Sequence, residues 1–448
     1  MLSQLDLATE ETPLAESVRR CRALVSPYTG LVRSAEQTLA SPDDSRLVHV
    51  DCTTGDCTAL TGDAGVVTGG GSGRSLDEAL VAAVGEVAER YSGAWSAGCE
   101  TVLATAAELG AEAVAPERFT LFSERQHNAP GFPFRRFTAA TRVSWVRGIS
   151  LPAGEPAWLP AQLVYMPWPL RPGEEPIGHA TSNGLAAHAT FAEATLSGLL
   201  EVLERDAFMI TWGARLEWPR LVWSSNSPLS AFSALYFEPT GLKLAALDMS
   251  AIWGVPCVLG VARSRVAGDA PIGVGAGAAA TIERAAEKAL DEALRVRSWA
   301  RELRLRDPRG ERLPRPDAIV QFEEHVAFYS RNENAERAVF LAASGERRRR
   351  DAVPPLEGAT VGERIATICD RLDRERAGAF CVDVTAPDVR AAGVTVARVV
   401  VPELCPLDAA HATRHLGGTR RLDVPAALGL TGQPLREDEL NPDPHPFP

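Results

Sequence analysis

Residues 77–90 read DEALVAAVGEVAER, and residues 192–205 read AEATLSGLLEVLER. The two stretches align without a gap and share three carboxylates and one arginine in the same order. Apolar residues between the shared positions predict two largely buried helices. Acidic residues at fixed spacing on two helices are typical of a divalent-metal site, because such cations take oxygen ligands. The recurring residues are Glu78, Ala79, Glu86, Val87, Glu89 and Arg90, then Glu193, Ala194, Glu201, Val202, Glu204 and Arg205.

Helical geometry places the three glutamates of the second copy on one stripe. With Glu193 as the reference, Glu204 falls at about 20° and Glu201 at about 80° around the helix axis. Glu193 and Glu204 are roughly 16 Å apart along that axis, too far for one ion but not for a nucleoside triphosphate with its metals. The alternative is a solvated helix face with Glu–Arg pairs four residues apart. Recurrence and apolar surroundings favour buried carboxylates, which need a cation or a hydrogen bond.

The composition excludes several classes of protein. The chain has 448 residues, 45% of them apolar, which is enough for one large domain or two to three smaller ones. A net charge of -12 argues against a nucleic-acid partner. The first residues do not form a signal peptide and no apolar run of about 18 residues occurs, so we expect a cytoplasmic protein without a membrane partner. The eight cysteines have neither CxxC nor zinc spacing, which indicates reduced thiols.

Glycine-rich stretches precede the predicted helices. GGGSG at residues 69–73 and GVGAG at residues 273–277 are interpreted as turns between a strand and a helix. A glycine turn at a helix N-terminus is suited to hold phosphate, although a flexible connection is the commoner meaning of a glycine run. Ser75 and Glu78 match a capping box at the start of the first repeat helix.

The remaining pattern mixes helices and strands. It predicts an α+β (mixed α/β) fold, with sheets flanked by helices and internal strand–glycine turn–helix repeats. Besides the repeat helices, we expect helices at 14–23, near 104–110 and at about 280–303, and strands within 46–68 and at 244–250, 256–263, 379–385 and 394–401.

Two further segments have ambiguous patterns. The basic run at residues 346–350, ERRRR, is interpreted as a solvated loop, with peptide or phosphate binding as the alternative. The last residues, NPDPHPFP at 441–448, have alternating prolines that impose an extended, polyproline-like shape. Such a tail is either disordered or a preformed rod docked into the protein.

Taken together, these motifs resemble the YcaO superfamily. The closest resemblance is to the ATP-dependent azoline-forming cyclodehydratases of ribosomal peptide natural products, some of them antibiotics. The motifs that carry it are VSPYTGLV at 25–32, GGGSG…GEVAERYS at 69–92, SNGLAAHATFAEATLSGLLEVLERDAF at 182–208, GAGAAATIERAAEKALDEALRVR at 275–297, DVTAPDV…GVTVARVVVPEL at 383–404 and PHPFP at 444–448.

The resemblance implies a cleft for ATP and Mg²⁺ formed by these motifs. It implies metal-holding roles for Glu86, Glu89, Glu193, Glu201 and Glu204. Contacts to nucleotide or phosphate are implied for Ser72, Arg74, Arg90, Ser182, Asn183, Arg205 and Arg297.

The reaction implied by the resemblance forms a thiazoline or an oxazoline. A Cys, Ser or Thr side chain of a precursor peptide attacks the preceding carbonyl, and the resulting oxyanion takes the γ-phosphoryl group of ATP. Catalytic roles are expected for Glu204, Arg205 and the α-carboxylate of Pro448, which orients groups or acts as a base. The alternatives are a YcaO enzyme that forms a thioamide or macroamidine, or a degenerate non-catalytic scaffold. Ser72, Ala83 and Arg295, which depart from the family pattern, motivate the last of these.

The resemblance also implies a domain organisation and partners. We expect an N-terminal segment at 1–60, a catalytic domain at 61–435 with a possible lobe boundary near 304–318, and a proline-rich tail at 436–448 that enters the active site. The expected partners are a ribosomal precursor peptide, a separate leader-binding protein of the E1-like or ThiF-like type, and a flavin-dependent dehydrogenase. We expect a homodimer or a hetero-oligomer.

Overall fold

The computed structural model describes residues 10–62, 65–94, 98–264, 266, 270–313 and 315–447. It confirms the predicted mixture of helices and sheets. The α-helices are α1 (Leu14–Ala23), α2 (Thr58–Thr61), α3 (Leu76–Ala94), α4 (Ala106–Leu109), α5 (Glu124–His127), α6 (Phe191–Gly213), α7 (Pro228–Tyr236), α8 (Ile282–Arg306), α9 (Phe322–Tyr329), α10 (Asn332–Ala335), α11 (Val361–Arg374), α12 (Pro387–Ala391) and α13 (Arg420–Ala427). The strands are β1 (Val32–Thr38), β2 (Val48–Asp56), β3 (Val66–Gly73), β4 (Thr101–Ala104), β5 (Val143–Ser150), β6 (Pro156–Pro160), β7 (Leu185–His188), β8 (Arg220–Val222), β9 (Lys243–Asp248), β10 (Cys257–Arg263), β11 (Ile272–Ala278), β12 (Arg347–Arg349), β13 (Phe380–Asp383) and β14 (Thr395–Val400).

The chain divides into two compact units. The first contains the chain up to Leu39 together with Leu47–Val202 and Glu357–Leu404, and the second contains Ala40–Arg46, Leu203–Leu356 and the chain from Cys405 onward. In the first unit, one sheet has the order β1-β2-β3 and another has the order β4-β5-β13-β14-β7, with β6 paired to β5. In the second unit, the sheet has the order β11-β10-β9-β8-β12.

The glycines of residues 69–73 lie in strand β3, so the predicted glycine turn is wrong at this position. Helix α3 lies directly against the strand. A Cβ atom built on Gly71 would come within 2.3 Å of the Ala83 nitrogen and 2.4 Å of the Ala79 oxygen, both in the helix backbone. The glycines therefore allow close contact between helix and strand, and they do not form the phosphate cradle expected of a turn.

The second unit repeats this arrangement with strand β11 and helix α8. The glycines of residues 273–277 lie within the strand, which corrects the second predicted glycine turn. A Cβ atom on Gly275 would approach the Ala293 nitrogen to 2.5 Å and the Ala289 oxygen to 2.8 Å. The internal repeat is therefore a glycine-containing strand covered by a helix, and it occurs once in each unit.

The close contact on β3 predicts opposite effects for two glycine substitutions. Gly71→Ala is expected to lower the free energy of unfolding by about 3 kcal/mol or more, because helix backbone must move to admit the methyl group. Gly85→Ala, in helix α3, meets nothing within 4 Å and is expected to raise it by about 0.5–1 kcal/mol. Urea denaturation of both variants measures these two changes in the free energy of unfolding. Equal effects would contradict the proposed function of the strand glycines.

Most other expected elements are present. The helices predicted at 14–23 and 280–303 correspond to α1 and α8, and the strands predicted near 244–263 correspond to β9 and β10. All eight cysteines are free thiols, as their spacing predicts. Within the described part of the chain, no helix has the length and apolar character needed to cross a membrane.

The loop predicted at the basic run is wrong, because Arg347–Arg349 form strand β12, which pairs in parallel with β8 at the edge of the second unit's sheet. The predicted solvent exposure is present at Arg347 and Arg349. Within this run, the Arg348 Nε atom lies 3.2 Å from a carboxylate oxygen of Asp248, which is fully buried. At least one arginine of the run, Arg348, therefore pairs with the charge of a buried aspartate.

Candidate functional site

In the first unit, helix α3 presents two glutamates that are each anchored by a strand amide. Glu86 accepts a hydrogen bond from the Gly70 N–H of β3 at 2.7 Å, and its other oxygen accepts one from Arg90 at 2.5 Å. Glu89 accepts a hydrogen bond from the Ala187 N–H of β7 at 2.8 Å. Each carboxylate is thus held by a strand amide through one oxygen, and Arg90 binds the second oxygen of Glu86.

The electrostatic environment of Glu89 favours its protonated form. Burial of the carboxyl group raises the pKa of Glu89 to about 8, and the negative charges of Glu201 and Glu86 add to the rise. The hydrogen bond from Ala187 and the charge of Arg90 oppose the rise without cancelling it. Excess negative charge at this position would be relieved by a cation.

In the second unit, helices α6 and α8 present a second carboxylate pair. Glu204 accepts a hydrogen bond from the Ala278 N–H at 2.7 Å, and Glu292 accepts one from the Ala276 N–H at 2.8 Å. Burial, followed by the charge of Glu204, raises the pKa of Glu292 to about 7. The positive charges of Arg295 and Arg205 reduce this rise only in part. The environment again favours a bound cation.

Glu292 was missed by the sequence analysis, although its position in the repeat identifies it. The N-cap residues of α3, α6 and α8 are Ser75, Thr190 and Thr281. The residue eleven positions after each N-cap is a glutamate. These glutamates are Glu86, Glu201 and Glu292. The position fourteen residues after the cap is glutamate on α3 and α6 but Arg295 on α8. Comparison of only the two full copies therefore overlooked the third helix.

Glu193 lies in the capping box of helix α6. Its carboxylate accepts hydrogen bonds from the N–H and hydroxyl of Thr190 at 3.1 and 2.8 Å, and from those of Thr12 at 2.5 and 2.9 Å. Burial alone would raise the pKa of Glu193, but these hydrogen bonds outweigh it and hold the pKa below its usual range. The capping box supplies hydrogen-bond donors to the Glu193 carboxylate without a metal ion. None of these hydrogen bonds involves Glu89.

Glu78, the counterpart of Glu193 in the first copy, also caps a helix. Its N–H donates to the Ser75 hydroxyl at 3.2 Å, and its carboxylate accepts from the Arg74 N–H at 2.7 Å. The capping role predicted for Ser75 and Glu78 is present, although the carboxylate binds the amide one residue before the cap. The first glutamate of both copies is therefore a helix-capping residue.

The capping box of Glu193 gives a direct prediction. Glu193→Gln is expected to lower the free energy of unfolding by about 1 kcal/mol, because glutamine still closes the capping box but its amide nitrogen cannot accept the Thr12 N–H. Glu193→Ala, which loses the capping box as well, should cost about 2 kcal/mol. Thermal unfolding of the two variants measures this difference. A fall in Mg–ATP affinity for Glu193→Gln at unchanged stability would instead support the metal-holding role implied by the family resemblance.

The arginines predicted to contact nucleotide differ in their surroundings. Arg297 is fully buried and donates to the Asp43 carboxylate at 2.6 Å, an aspartate that it shares with Arg301. Arg90 donates to the Thr68 carbonyl at 2.6 Å in addition to Glu86. This ion pair of Arg297 thus lies within the second unit's fold. Its nucleotide role remains a prediction, as do those of Arg90 and Arg205.

The remaining nucleotide-contact candidates lie in the first unit. Ser72 lies in strand β3 opposite His49 of β2, and Arg74 follows directly after the strand. Asn183 is buried and its side-chain amide donates to the Thr181 hydroxyl, while the Ser182 carbonyl accepts from the Leu185 N–H at 3.0 Å. The roles predicted for these residues are not tested by their contacts.

The proline-rich tail is docked within the second unit, which decides between the two interpretations of its composition. Phe447 is fully buried, and the centroid of its ring lies 4.7 Å from that of Phe208. Phe208 follows Glu204 by four residues, which is about one turn of helix α6. The tail therefore ends beside the helix that presents Glu204. Pro448 lies outside the described residues.

The carboxylates fit a metal that is shared with a phosphate ligand. Among the residues that the structure describes, no three His, Cys, Asp or Glu side chains converge on a single point suited to one metal ion. Mg²⁺ in phosphate-transfer sites usually takes only one or two protein carboxylates and completes its shell with phosphate oxygens and water. Anchored glutamates with a second carboxylate nearby, as at Glu89 and Glu292, match that donor set.

A protein-family model described as "YcaO cyclodehydratase, ATP- and Mg²⁺-binding" matches residues 70–405. The chain belongs to the YcaO family. The matched region includes helices α3, α6 and α8 and all five anchored or clustered glutamates described above.

Individual relatives agree with this assignment. The chain is 31% identical over 277 residues to an uncharacterised protein from the tfuA 3′ region of Rhizobium leguminosarum bv. trifolii, covering 58% of this chain and 61% of that one. It superimposes on a heterocyclase solved in complex with substrate and cofactor, with a TM-score of 0.79, 25% identity and coverage of 97% of this chain and 57% of that one. The YcaO protein of Methanopyrus kandleri, solved with AMPPCP and Mg²⁺, has the same fold at a TM-score of 0.63, with 19% identity and coverage of 90% and 94%.

Proposed function

We propose that this YcaO protein is an ATP- and Mg²⁺-dependent cyclodehydratase that converts Cys, Ser or Thr of a ribosomal precursor peptide to thiazoline or oxazoline. One observation carries the proposal. Phe447 of the docked proline tail packs against Phe208, one helical turn from Glu204, on the helix that also contains the recurring ExxER motif. This position, beside a carboxylate that we propose holds Mg²⁺, supports a role for the tail in the reaction of the ATP-activated peptide.

In this proposal the glutamates form two sets, and each set binds Mg²⁺ together with phosphate oxygens. The set in the first unit consists of Glu86, Glu89 and Glu201. The set in the second unit consists of Glu204 and Glu292. When bound, Mg²⁺ neutralises the charge of the phosphate groups during transfer. The strand amides fix one oxygen of four of these glutamates, so little side-chain motion is needed on binding. Arg205 follows Glu204 directly and is proposed to contact phosphate.

The proposed reaction conserves all atoms of peptide and nucleotide. The thiol sulfur of Cys, or the hydroxyl oxygen of Ser or Thr, bonds to the preceding carbonyl carbon and loses its proton. The carbonyl oxygen takes the γ-phosphoryl group, and ADP leaves. Loss of the amide proton then forms the ring C=N bond as phosphate departs with the former carbonyl oxygen. The peptide has lost the elements of water, and the tail through Pro448 is proposed to assist at this stage.

An isotope experiment tests the phosphorylation step. A precursor peptide with heavy oxygen in the reacting amide carbonyl is incubated with the protein, its partner and Mg–ATP. The proposal requires the heavy oxygen to appear in inorganic phosphate, in proportion to the rings formed. Ring formation with the label released in water would refute phosphorylation of the amide oxygen.

The proposed partners are those implied by the family resemblance. A precursor peptide is the substrate, an E1-like or ThiF-like protein binds its leader, and a flavin-dependent dehydrogenase acts on the azoline product. Assays with and without the leader-binding protein separate its contribution from that of this chain. A homodimer or hetero-oligomer is the proposed assembly.

A further inference from the structure

Five successive carbonyl groups of the tail, residues 441–445, each accept a hydrogen bond from a different side chain of the second unit. The donors lie on the end of α6, on α9 and in the segment before α13. The contacts are Arg414 to Asn441 at 2.8 Å, His411 to Pro442 at 2.9 Å, Trp212 to Asp443 at 3.0 Å, Tyr329 to Pro444 at 2.5 Å and His325 to His445 at 2.9 Å.

This set of contacts, here called the tail clamp, compensates for what the tail sequence lacks. Proline has no N–H group, and an extended polyproline-like segment forms no internal hydrogen bonds. Four of these five tail residues, all except Pro442, are buried, so their carbonyls need donors from elsewhere in the protein. A shift of the tail by one residue would move every carbonyl away from its donor. The clamp therefore determines the register of the tail as well as its attachment.

Helix α9 supplies the two donors closest to the end of the described tail. His325 and Tyr329 are four residues apart and so lie on the same face of the helix. The ring of His325 also stacks on that of His445, with centroids 4.1 Å apart and planes 14° apart. Both α9 side chains are buried, at 0% and 2% exposure. The last two carbonyl contacts before Phe447 are therefore made with one helix, while the His445 ring also binds the Asp408 carbonyl at 2.7 Å.

We propose that His325 and Tyr329 are positioning residues of the reaction, which act by holding the tail in one register. This inference rests on the proposed function, in which the tail assists ring formation. Neither residue needs to touch the peptide or ATP. Their effect on the reaction passes through the Pro444 and His445 carbonyls to the residues that follow.

Paired substitutions at His325 separate its tail contact from its other contact. Its Nδ1 atom faces the His445 carbonyl at 2.9 Å, and its Nε2 atom faces the Ala409 carbonyl at 3.0 Å. The amide nitrogen of asparagine takes a position similar to Nδ1, and that of glutamine takes a position similar to Nε2. His325→Asn thus directs an N–H donor at the His445 carbonyl, while His325→Gln directs its donor at the Ala409 carbonyl and leaves the tail carbonyl without one.

Hydrogen exchange of the full-length protein measures the position of the tail without reference to activity. Loss of one tail hydrogen bond in His325→Gln or Tyr329→Phe is expected to speed exchange of the His445 and Phe447 amides about five- to ten-fold. His325→Asn should exchange more slowly than His325→Gln. Glu323→Gln, at an exposed position on α9, is the matched control and should leave exchange unchanged. Equal exchange in His325→Asn and His325→Gln would overturn the role of the tail contact.

Steady-state kinetics of the same variants then test the positioning role. His325→Gln and Tyr329→Phe are expected to lower kcat for ring formation with the KM for ATP unchanged, and His325→Asn should restore much of kcat. Faster tail exchange with unchanged kcat would overturn the positioning role. If the unsubstituted protein forms no rings, the proposed function fails and the positioning role fails with it, while the exchange data still decide whether the clamp sets the tail's register.

Discussion

Glu204→Gln is expected to reduce ring formation by at least about 100-fold without unfolding the protein. Glu204 is buried, and its carboxylate accepts a hydrogen bond from the Ala278 N–H. The side-chain oxygen of glutamine is able to accept the same bond, so the local fold is retained. What the substitution removes is a negative charge beside Glu292, and with it the capacity of this pair to hold Mg²⁺ against phosphate.

The measurement is kcat for ring formation at saturating precursor peptide, with mass spectrometry used to monitor the product. Glu217→Gln, at an exposed position shortly after helix α6, is the control and should retain full activity. Circular dichroism of both variants checks that the fold is intact. Activity of Glu204→Gln within a factor of two of the unsubstituted protein would remove Glu204 from the site.

Glu89→Gln is expected to make the metal-free protein more stable while abolishing its response to Mg–ATP. The pKa of Glu89 in the folded protein, about 8, lies above the ordinary value of 4.5. Folding therefore favours the protonated carboxyl group, and the stability that this provides is lost as the pH rises from about 4.5 to about 8. Glutamine is neutral throughout this range. The gain in free energy of unfolding should be near zero at pH 4.5 and about 1–3 kcal/mol at pH 8.

Denaturant unfolding in a metal chelator at several pH values tests this prediction. Glu78→Gln, a substitution at the cap of the same helix, is the control and should show no gain that grows with pH. Addition of Mg–ATP should stabilise the unsubstituted protein and leave Glu89→Gln unchanged. A gain that is the same at every pH would show that Glu89 is ionised without penalty, and the argument for a cation at this position would fail.

The sequence predicted the helices that carry the glutamates but not how the glycines function. The repeated ExxER pattern depends on residues close together in the chain, so helical periodicity was enough to find Glu86, Glu89, Glu201 and Glu204. A glycine run, by contrast, is compatible both with a turn and with close contact between strand and helix. The distance from Gly71 to the backbone of α3 distinguishes close contact from a turn, and it depends on tertiary packing.

Two glutamates show the limits of reading the repeat by alignment. Glu193 aligned with Glu78 and was predicted to hold metal, yet the TFAE sequence at residues 190–193 already matches a capping box. Glu292 went unnoticed because Arg295 interrupts the ExxER pattern on α8. Position relative to the helix cap, counted on all three helices, would have identified Glu292 and separated the capping glutamates from the others.

The tail required structural information of a different kind. Its prolines predicted an extended shape, but composition alone left a disordered end and a docked rod as alternatives. Docking depends on donors such as Trp212 and Tyr329, which lie far from the tail in sequence. Nothing in the local pattern around either residue indicates that its polar atom binds a distant carbonyl.

The mass of a precursor peptide after incubation with this protein, its leader-binding partner and Mg–ATP tests the central proposal most directly. The account predicts products lighter than the substrate by the mass of one water molecule for each ring, formed only when ATP is present. Exchange of oxygen for sulfur would instead identify thioamide formation. An unchanged peptide mass with the partner present, together with no Mg–ATP binding in calorimetry, would contradict the account and indicate a non-catalytic YcaO scaffold.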